Sequence, residues 1–406
     1  MSTFFCQMSK FFLHKFSKAA IYVKRNIFVN YANGYNDSFS AIFECTEILE
    51  ISLLCVILYI MEYEFKVRLS EIEKTLDKVL PEAINDDWKN ASFGNFKISP
   101  QERDFLNIVR PAADLMRRGG KRWRPLLAVL SCELAGGEMR NVYPLTPLVE
   151  LCHTASLIHD DIEDGSETRR GGQAIHIKYG IDTAINSGSW LYFHAMQVID
   201  TYDTSAETKN LLHKLYLLNL RRLHLGQSMD ISWHSVPDYI PTKEEYLAMI
   251  ELKTGSLSKL AGELGFAAAG KGENEISGYG CLMMEAGIAF QILDDVKNIT
   301  AGIAGKKRGD DIVEGKKSLP VIFCTEKDPS SRKKLSELFA RAAKEGIESS
   351  AVEESISVIL NSGAAELSKQ YAKDIVEASI IKLQKKYGRN KAADLIAELF
   401  LSICGV

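Results

Sequence analysis

The chain has 406 residues, and its 49 Lys and Arg nearly balance 53 Asp and Glu, which gives a formal net charge of −4. This charge, together with the lack of a Lys/Arg stripe with interleaved aromatic residues, argues against a nucleic-acid partner. The hydrophobic fraction of 46% is ample for a large core, and the eight Cys form no CxxC pair or metal-ligand spacing. These Cys therefore indicate reduced thiols in a cytoplasmic chain.

Residues 1–60 differ in composition from the rest of the chain. Residues 1–36 contain five Lys or Arg and no acidic residue, and the apolar run from Ile51 to Met61 is eleven residues long. A membrane-spanning helix needs about 20 apolar residues, so this run is too short. We expect residues 1–60 to be an N-terminal extension outside the folded core, either an over-extended gene model or a targeting or interfacial anchor segment. Residues 61–406 then form the functional domain.

From Met61 onward the chain reads as one helix after another. Apolar residues recur at spacings of three and four, for example Ile72, Leu76 and Leu80, and then Phe105 and Val109. Alternating strand patterns are nearly absent, and most Pro and Gly fall between the periodic segments. The pattern predicts a single-domain, all-α bundle of about 12 or more helices around a deep central cavity. We expect polar loops at residues 84–99 and 326–332.

A glycine-led basic segment follows the second predicted helix, and residues 119–125 read Gly-Gly-Lys-Arg-Trp-Arg-Pro. The glycines permit a tight turn, and Lys121 and Arg124 follow as cations suited to phosphate. A solvated surface run is the alternative for any one such segment.

An acidic cluster ends the helix predicted over residues 148–164, which contains no Pro or Gly. The cluster is Asp160-Asp161-Ile162-Glu163-Asp164. Positions i and i+4 share a helix face, so Asp160 and Asp164 project together and Asp161 lies beside them. Carboxylates placed this way repel each other unless a cation lies between them, and Mg²⁺ is the natural choice.

More basic segments and a second acidic cluster follow. Residues 167–172 read Glu-Thr-Arg-Arg-Gly-Gly, and Lys253-Thr254-Gly255 interrupts a helical stretch. Asp294-Asp295 lies in the helix predicted over 288–301, directly after an apolar run. Two such helices facing each other would hold a diphosphate through bridging Mg²⁺. Each cluster alone could be a solvated helix end, but their order along the chain favours one joint site.

The longest Gly- and charge-rich loop spans residues 301–317, just after the second acidic cluster. It contains Gly305-Lys306-Lys307-Arg308-Gly309 and Glu314-Gly315-Lys316-Lys317. Its composition and position favour a lid that orders over a bound diphosphate.

With these motifs in order, the chain resembles the trans-polyprenyl diphosphate synthase family from about residue 100 to the C-terminus. The resemblance rests on the motifs at residues 119–125, 153–164, 169–171, 253–255, 290–295 and 314–320. It implies an all-α fold of the isoprenoid synthase type with a deep central active-site cavity. It also implies Mg²⁺-dependent, head-to-tail condensation of isopentenyl diphosphate with an allylic prenyl diphosphate, carried out by a homodimer. Peripheral membrane contact for product release is a further expectation.

The resemblance assigns roles to individual residues. The Mg²⁺ ligands would be Asp160, Asp161, Asp164 and Asp294, and these residues, with Asp295 and Lys253, would be the catalytic groups. Isopentenyl diphosphate would bind Lys121, Arg124, His153 and Arg170. The allylic diphosphate would bind Arg169, Lys253, Thr254, Gln291, Lys306 and Lys316.

One position departs from the family pattern. The second acidic motif usually has a third aspartate four residues after the first, and this chain has Asn298 there. The neutral amide lowers the negative charge of the second motif, which would weaken metal binding. The alternative is a non-catalytic or regulatory subunit of a heteromeric prenyl synthase.

Small residues precede the first acidic cluster. Ala155 lies five residues before Asp160, followed by Ser156, and Cys152 lies about one turn further back. In the family, Tyr or Phe at the position of Ala155 forms a floor for short products, so small residues predict products of C20 or longer, with C30 to C40 favoured. A bulky residue deeper in the tunnel, or a partner subunit, is the alternative floor.

Two other enzyme classes share part of this pattern. A terpene cyclase would have the first acidic cluster but would need no isopentenyl pocket, and the segment at 119–125 argues against it. His159-Asp160 also resembles the core of a metal phosphohydrolase. The remaining His residues do not supply that family's ordered ligand set.

Overall fold

The computed structural model describes residues 60–234, 236, 238–302 and 307–405. Residues 60–79 are helical (α1), and the chain's two compact units, Met1–Glu71 and Ile72–Val406, divide within this stretch. The predicted N-terminal extension lies outside the described residues except at residue 60. All that follows concerns the second unit.

The second unit consists almost entirely of helices. After α1 these are α2 (Asp86–Phe93), α3 (Glu102–Arg117), α4 (Trp123–Leu134), α5 (Met139–Val142), a 3₁₀ turn (Tyr143–Leu145), α6 (Thr146–Glu163), α7 (Ile175–Tyr179), α8 (Ile181–Thr201), α9 (Ala206–His234), α10 (Lys243–Ile250), a π turn (Glu251–Gly255), α11 (Ser256–Ala268), α12 (Glu273–Thr300), α13 (Asp310–Val313), α14 (Leu319–Lys327), α15 (Ser331–Glu345), α16 (Ser350–Asn361), α17 (Ala364–Tyr387) and α18 (Lys391–Cys404). The all-α prediction is confirmed.

One hairpin interrupts the helices. Strands β1 (Thr168–Arg169) and β2 (Gly172–Gln173) pair antiparallel, with Thr168 opposite Gln173. Within the described part of the chain this is the only sheet. The sequence prediction missed it because a two-residue strand is too short to show an alternating pattern.

The polar loop expected over residues 84–99 is wrong in part, because α2 lies within it. Asn85 caps this helix by accepting a hydrogen bond from the backbone N–H of Trp88 at 2.8 Å. Trp88 and Phe93 then contact Trp190 of α8, with ring centroids 6.4 and 6.0 Å apart. The helix is therefore anchored by a few aromatic contacts, which an aliphatic periodicity search does not detect.

Helix α11 lies at the centre of the core. Its residues from Ser256 to Ala267 are all buried, and it packs against α12, α4 and α9. Helix α6 packs against α8 and α4, and α12 also packs against α17. The two helices that carry the acidic clusters, α6 and α12, are therefore fixed by the same core.

Helix α12 is long and apolar enough to cross a membrane by length and composition alone. It also carries Gln291, Asp294 and Asp295, and it packs between α11 and α17. Burial in the protein core therefore accounts for its apolar character.

Candidate active site

The first acidic cluster lies at the C-terminal end of α6, which ends at Glu163 with Asp164 as its cap. Carboxylates there are unfavourable because the helix macrodipole places partial negative charge at the same end. The side chain of Asp161 is fully buried and that of Asp164 is 1% exposed. Burial, and then the charge of Asp160, raise the pKa of Asp164. The cluster therefore depends on cations from elsewhere in the chain.

Three separate segments supply those cations. Arg169 Nε of the hairpin donates to Asp161 Oδ1 at 2.6 Å, and its Nη2 lies 3.5 Å from Asp160 Oδ2. Lys253 Nζ lies 3.2 Å from Asp160 Oδ1, and Lys316 Nζ lies 2.8 Å from Asp164 Oδ2. The structure therefore brings together three of the cations that the resemblance assigns to the allylic diphosphate.

The π turn carries Lys253. The sequence prediction that Lys253-Thr254-Gly255 interrupts a helical stretch is confirmed in part, because the π turn separates α10 from α11 while the chain stays helical throughout. A Cβ added to Gly226 of α9 would lie 2.3 Å from the backbone N of Lys253, so only glycine permits this approach. π turns are frequent at functional sites, and this one brings Lys253 against α9.

Two residues of α9 that the sequence prediction missed complete this side of the site. Gln227 Nε2 donates to Asp160 Oδ1 at 3.1 Å and to Glu163 Oε2 at 2.6 Å. Asp230 Oδ2 accepts from Lys253 Nζ at 2.7 Å, and its Oδ1 lies 3.0 Å from His234 Nε2. The one signal in the sequence for these two residues was their spacing, because Gln227 and Asp230 are polar residues three positions apart directly after Gly226.

These contacts determine the charges of both partners. Burial opposes the charged forms, but the carboxylates of Asp160 and Asp230 raise the pKa of Lys253 above its usual value. In the same way burial would raise the pKa of Asp230, but Lys253 and His234 hold it below its usual range. Lys253 is therefore an ammonium held between two carboxylates.

The second acidic motif is linked to the π turn through α12. Thr254 Oγ1 donates to Gln291 Oε1 at 2.8 Å, and Gln291 Nε2 donates to Asp295 Oδ1 at 2.8 Å. Tyr246 donates its hydroxyl to Asp295 Oδ2 at 2.7 Å. Burial, and then the charge of Asp311, raise the pKa of Asp295. Tyr246 and Asp311 are further residues that the sequence prediction missed.

Asn298, at the position of the missing aspartate, is fully buried. Neither atom of its side-chain amide has a hydrogen-bond partner among the described residues, while its backbone carbonyl accepts from Gly309 at 3.1 Å. A carboxylate in this position would be a buried charge, which is far more costly than a buried amide. The burial of Asn298 therefore gives a physical reason for the departure from the family pattern.

A second, mainly cationic pocket lies beside α6. Burial lowers the pKa of Arg124 to about 10 and that of Arg170 to about 10. Burial, and then the charges of Arg124 and Arg170, hold the pKa of His153 well below its usual value. Glu150 partly balances this charge, since its Oε1 lies 2.5 Å from Arg122 Nη1 and 3.8 Å from Arg170 Nη2. The pocket thus combines neutral His153 with excess positive charge, which favours an anion.

Aromatic rings support the cations of this pocket. Arg124 lies 4.4 Å from the ring centroid of Trp123, and Lys121 Nζ lies 5.3 Å from that of Phe290. Burial, and then the charge of Lys297, lower the pKa of Lys121. Cation–π contacts of this kind stabilise a positive charge without neutralising it. Four residues predicted for isopentenyl diphosphate, Lys121, Arg124, His153 and Arg170, therefore share one electrostatic environment.

The predicted lid is described only in part. Lys306 lies outside the described residues, whereas Lys316 lies in the site. Carboxylates of Glu314, Asp164 and Asp311 raise the pKa of Lys316 well above its usual value, against the effect of burial. A lid movement of residues 301–317 stays a prediction.

The predicted product-length residues line α6 below the acidic cluster. Ala155 and Cys152 are fully buried, and Ser156 donates to the backbone carbonyl of His153 at 2.8 Å. The Cys152 thiol lies within hydrogen-bond reach of Tyr216, whose hydroxyl donates to the carbonyl of Tyr192 at 2.7 Å. The bulky ring of Tyr216 therefore lies near Cys152 and is a candidate for the alternative, deeper floor of the tunnel.

The donor set of the acidic clusters fits Mg²⁺ in chemistry, because carboxylate oxygens are the ligands that this ion prefers. In the described ranges, however, no three His, Cys, Asp or Glu side chains converge to hold a metal. Asp160, Asp161 and Asp164 instead each pair with a basic side chain. The residues therefore fit Mg²⁺ that arrives with a diphosphate, whose oxygens would complete the coordination and attract the cations.

The chain is similar in sequence to known prenyl diphosphate synthases. A family model described as polyprenyl synthetase matches residues 107–356. The chain is 34% identical over 287 residues to the geranylfarnesyl diphosphate synthase of Aeropyrum pernix, covering 68% of this chain and 87% of that protein. It is 31% identical over 314 residues to the geranylgeranyl pyrophosphate synthase of Geoglobus acetivorans, covering 76% and 90%.

Solved structures give the same answer for the fold. The chain superimposes on the geranylgeranyl pyrophosphate synthetase of Pyrococcus horikoshii Ot3 with a TM-score of 0.71 and 26% identity. This superposition covers 85% of this chain and 98% of the other.

Proposed function

This chain belongs to the polyprenyl synthetase family, and we propose that it condenses isopentenyl diphosphate with an allylic prenyl diphosphate, head to tail, and releases diphosphate. The products are trans-polyprenyl diphosphates of C20 or longer, as the names of the relatives indicate. The relatives are synthases, so the regulatory-subunit alternative gains no support from them.

The observation that carries this proposal is the meeting of cations from three segments at the acidic end of α6. Arg169, Lys253 and Lys316 each contact a carboxylate of Asp160, Asp161 or Asp164. A diphosphate with Mg²⁺ would satisfy both sets of charges, since Asp160, Asp161 and Asp164 would hold the metal and the three cations would hold the phosphate oxygens. A buried cluster of this kind is otherwise costly to maintain.

The chemistry follows from the two pockets. The allylic diphosphate lies against Arg169, Lys253 and Lys316, which spread the charge that develops as the C–O bond breaks. Isopentenyl diphosphate lies in the pocket of Arg124 and Arg170, so that its double bond can attack the allylic cation. The bond forms at the allylic carbon, and the proton lost from the adduct passes to the released diphosphate.

Mg²⁺ would be held by Asp160, Asp161, Asp164 and Asp294, and Arg169 would keep Asp160 and Asp161 in place. When bound, the ion neutralises diphosphate charge and so makes diphosphate a better leaving group. The buried apolar helices around the site exclude water, which would otherwise quench the cation.

Ala155, Ser156 and Cys152 line the path of the growing chain in this proposal. The narrower expectation of C30 to C40 stays a prediction. The names of the relatives, geranylgeranyl and geranylfarnesyl diphosphate synthase, favour the lower end of the range.

A homodimer is part of the proposal, and an exposed apolar surface supports it. Large apolar side chains project to solvent from α8 and α9: Ile181, Ile185, Phe193, Leu217, Leu218 and Leu225. Phe193 is 73% exposed, which is unusual for so large an apolar side chain. Light scattering should give twice the chain mass, and Phe193→Glu should shift it toward the single chain.

A cytoplasmic location and a peripheral membrane contact for product release are also proposed. The five Cys in the described ranges, Cys132, Cys152, Cys281, Cys324 and Cys404, are all free thiols, as a reducing compartment favours. Both proposals are checked by fractionating cells that contain or lack the polyprenyl product and measuring how much of the chain is in the soluble and the membrane fractions.

The experiment that tests the proposed function is steady-state kinetics on the purified chain with isopentenyl diphosphate and an allylic primer. We expect release of one diphosphate for each isopentenyl diphosphate consumed, with saturation in both substrates and dependence on Mg²⁺. Hydrolysis of the primer without consumption of isopentenyl diphosphate would contradict the proposal.

A further inference from the structure

We propose that Arg118 is a positioning residue that clamps the β1–β2 hairpin to the end of α3, and so aims Arg169 and Arg170 at the two diphosphate pockets. The proposal rests on the proposed function for the identity of the ligands, but the clamp itself is a matter of geometry. Nothing in the sequence motifs assigns a role to Arg118, which caps the C-terminus of α3 directly before Gly119.

The guanidinium of Arg118 makes four hydrogen bonds in two directions. Its Nε and Nη2 donate to Asp114 Oδ1 and Oδ2 at 3.0 and 3.1 Å, one turn earlier in α3. Its Nη1 donates to the backbone carbonyls of Arg169 and Gln173 at 3.0 and 2.7 Å. One side of the fork thus holds a carboxylate and the other holds both strands of the hairpin. A lysine could not make this set of contacts, because it lacks the planar fork.

Asp114 is fixed in turn by α7. Lys178 Nζ and the hydroxyl of Tyr179 donate to Asp114 Oδ2 at 2.7 and 3.0 Å. Burial would raise the pKa of Asp114, but its hydrogen bonds with Arg118, Lys178 and Tyr179 lower it to about 2. Asp114 is therefore a constant negative charge at neutral pH, and Arg118 rests on a rigid base.

The hairpin itself needs an external support. It has two antiparallel residue pairs, which are too few to be stable alone. Its turn places Arg170 at φ 51° and Gly171 at φ 74°, as a type I′ turn requires. The left-handed conformation is unfavourable for a residue other than Gly, Asn or Asp, so Arg170 adds strain. Contacts from outside the hairpin must offset this cost.

The two arginines of the hairpin project to different pockets. Arg169 reaches Asp160 and Asp161, whereas Arg170 Nη1 donates to the carbonyl of Leu115 at 3.2 Å and its Nη2 faces Glu150. Arg169 ends β1 and Arg170 is the first residue of the left-handed turn, so the two side chains leave the hairpin in different directions and one fixed hairpin serves both pockets.

Two glycines show how closely the parts fit. A Cβ on Gly172 would lie 3.0 Å from Cζ and Nη1 of Arg118, and a Cβ on Gly120 would lie 3.1 Å from Nη2 of Arg170. The side chain of each arginine therefore passes over a glycine of the other segment. Displacing Arg118 would shift the hairpin, and both pockets would lose their geometry together.

The direct test of the clamp is limited trypsin digestion, which cleaves after Arg169 and Arg170. We expect Arg118→Gln to be cleaved at these two bonds about tenfold faster than wild type, and Arg118→Lys to be intermediate. Peptides identified by mass spectrometry report the cleavage site. Arg110→Gln, the same change at an exposed position of α3, is the matched control and should match wild type.

The functional test is a double-mutant cycle. Arg118→Gln should raise KM for both substrates about tenfold while kcat changes less. It should have no further effect in the Arg169→Ala, Arg170→Ala background, because Arg118 acts through these two residues. Thermal unfolding of each variant establishes that it is folded.

Two outcomes would overturn the clamp. One is a trypsin cleavage rate in Arg118→Gln equal to that of wild type. The other is an increase in KM from Arg118→Gln that is just as large in the Arg169→Ala, Arg170→Ala background. Absence of turnover in the wild-type enzyme would instead contradict the proposed function and would leave the digestion result valid as it stands.

Discussion

Replacing Asp230 with Asn tests the part of the site that the sequence motifs do not include. Asp230 lies 2.7 Å from Lys253 Nζ, and Asp160 lies 3.2 Å from the same atom. Asp230 thus holds the ammonium back from Asp160. In Asp230→Asn, Lys253 should move onto Asp160 and away from the allylic diphosphate.

The magnitude follows from the geometry. At an effective dielectric constant of about 20, unit charges at this separation interact by about 6 kcal/mol. Desolvation cancels much of this energy, and the amide keeps one hydrogen bond, so we expect a net loss of about 1.5–3 kcal/mol, as for a hydrogen bond to a charged group. That loss corresponds to a decrease of about 10- to 150-fold in kcat/KM for the allylic substrate.

The assay is steady-state kinetics with each substrate varied in turn. KM for isopentenyl diphosphate should change little, because Arg124 and Arg170 form a separate pocket, and Asp230→Glu should recover part of the activity. Glu263→Gln is the matched control, since Glu263 is a buried carboxylate paired with Lys259 away from the site. It should lower stability without a change in either KM. Equal decreases of kcat/KM for both substrates in Asp230→Asn, or no decrease for either, would contradict this role of Asp230.

Four further predictions concern residues that the sequence itself identified. Asp160→Ala and Asp294→Ala should each lower turnover by at least ~100-fold with folding intact, as measured by kinetics and circular dichroism; near-normal activity would count against the acidic motifs. Burial keeps His153 neutral in the folded chain, so below pH 6.5 only the unfolded chain binds a proton at this imidazole. The free energy of unfolding should therefore decrease as the pH is lowered. Urea unfolding should show that the free energy of unfolding decreases by up to about 2 kcal/mol between pH 6.5 and pH 5, and that this decrease is smaller in His153→Gln. The same pH dependence in wild type and His153→Gln would contradict this prediction. Ala155→Tyr should shorten the main product and lower the stability of the fold by about 1–3 kcal/mol through overpacking. An unchanged product length would place the floor of the tunnel elsewhere, with Tyr192 and Tyr216 as candidates. Asn298→Asp should lower the urea midpoint by burying a charge, and recovery of that midpoint with Mg²⁺ would instead make residue 298 a metal ligand.

The sequence predicted much of this site because its chemistry resides in charged side chains next to helix ends. Arg169, Lys253 and Lys316 lie in separate basic segments, and the order of these segments around the acidic clusters favoured one joint site. The structure brings each of these three cations against a carboxylate of Asp160 or Asp164.

What the sequence could not predict depends on geometry without a composition signal. Gly226 of α9 lies against the π turn at residues 251–255 with no room for a Cβ, and no local propensity reveals that contact. Asp230 and Arg118 look like ordinary surface charges in sequence, but tertiary packing gives them buried partners. Helix α2 was missed for the same reason, because aromatic contacts with α8 rather than its own periodicity stabilise it.

Mass analysis of the products that the purified chain forms from isopentenyl diphosphate and farnesyl diphosphate tests the central claim most directly. We expect polyprenyl diphosphates of C20 or longer, each made with release of one diphosphate per isoprene unit added, and loss of these products in Asp160→Ala. Unchanged isopentenyl diphosphate, with the primer recovered intact, hydrolysed or cyclised, would contradict it.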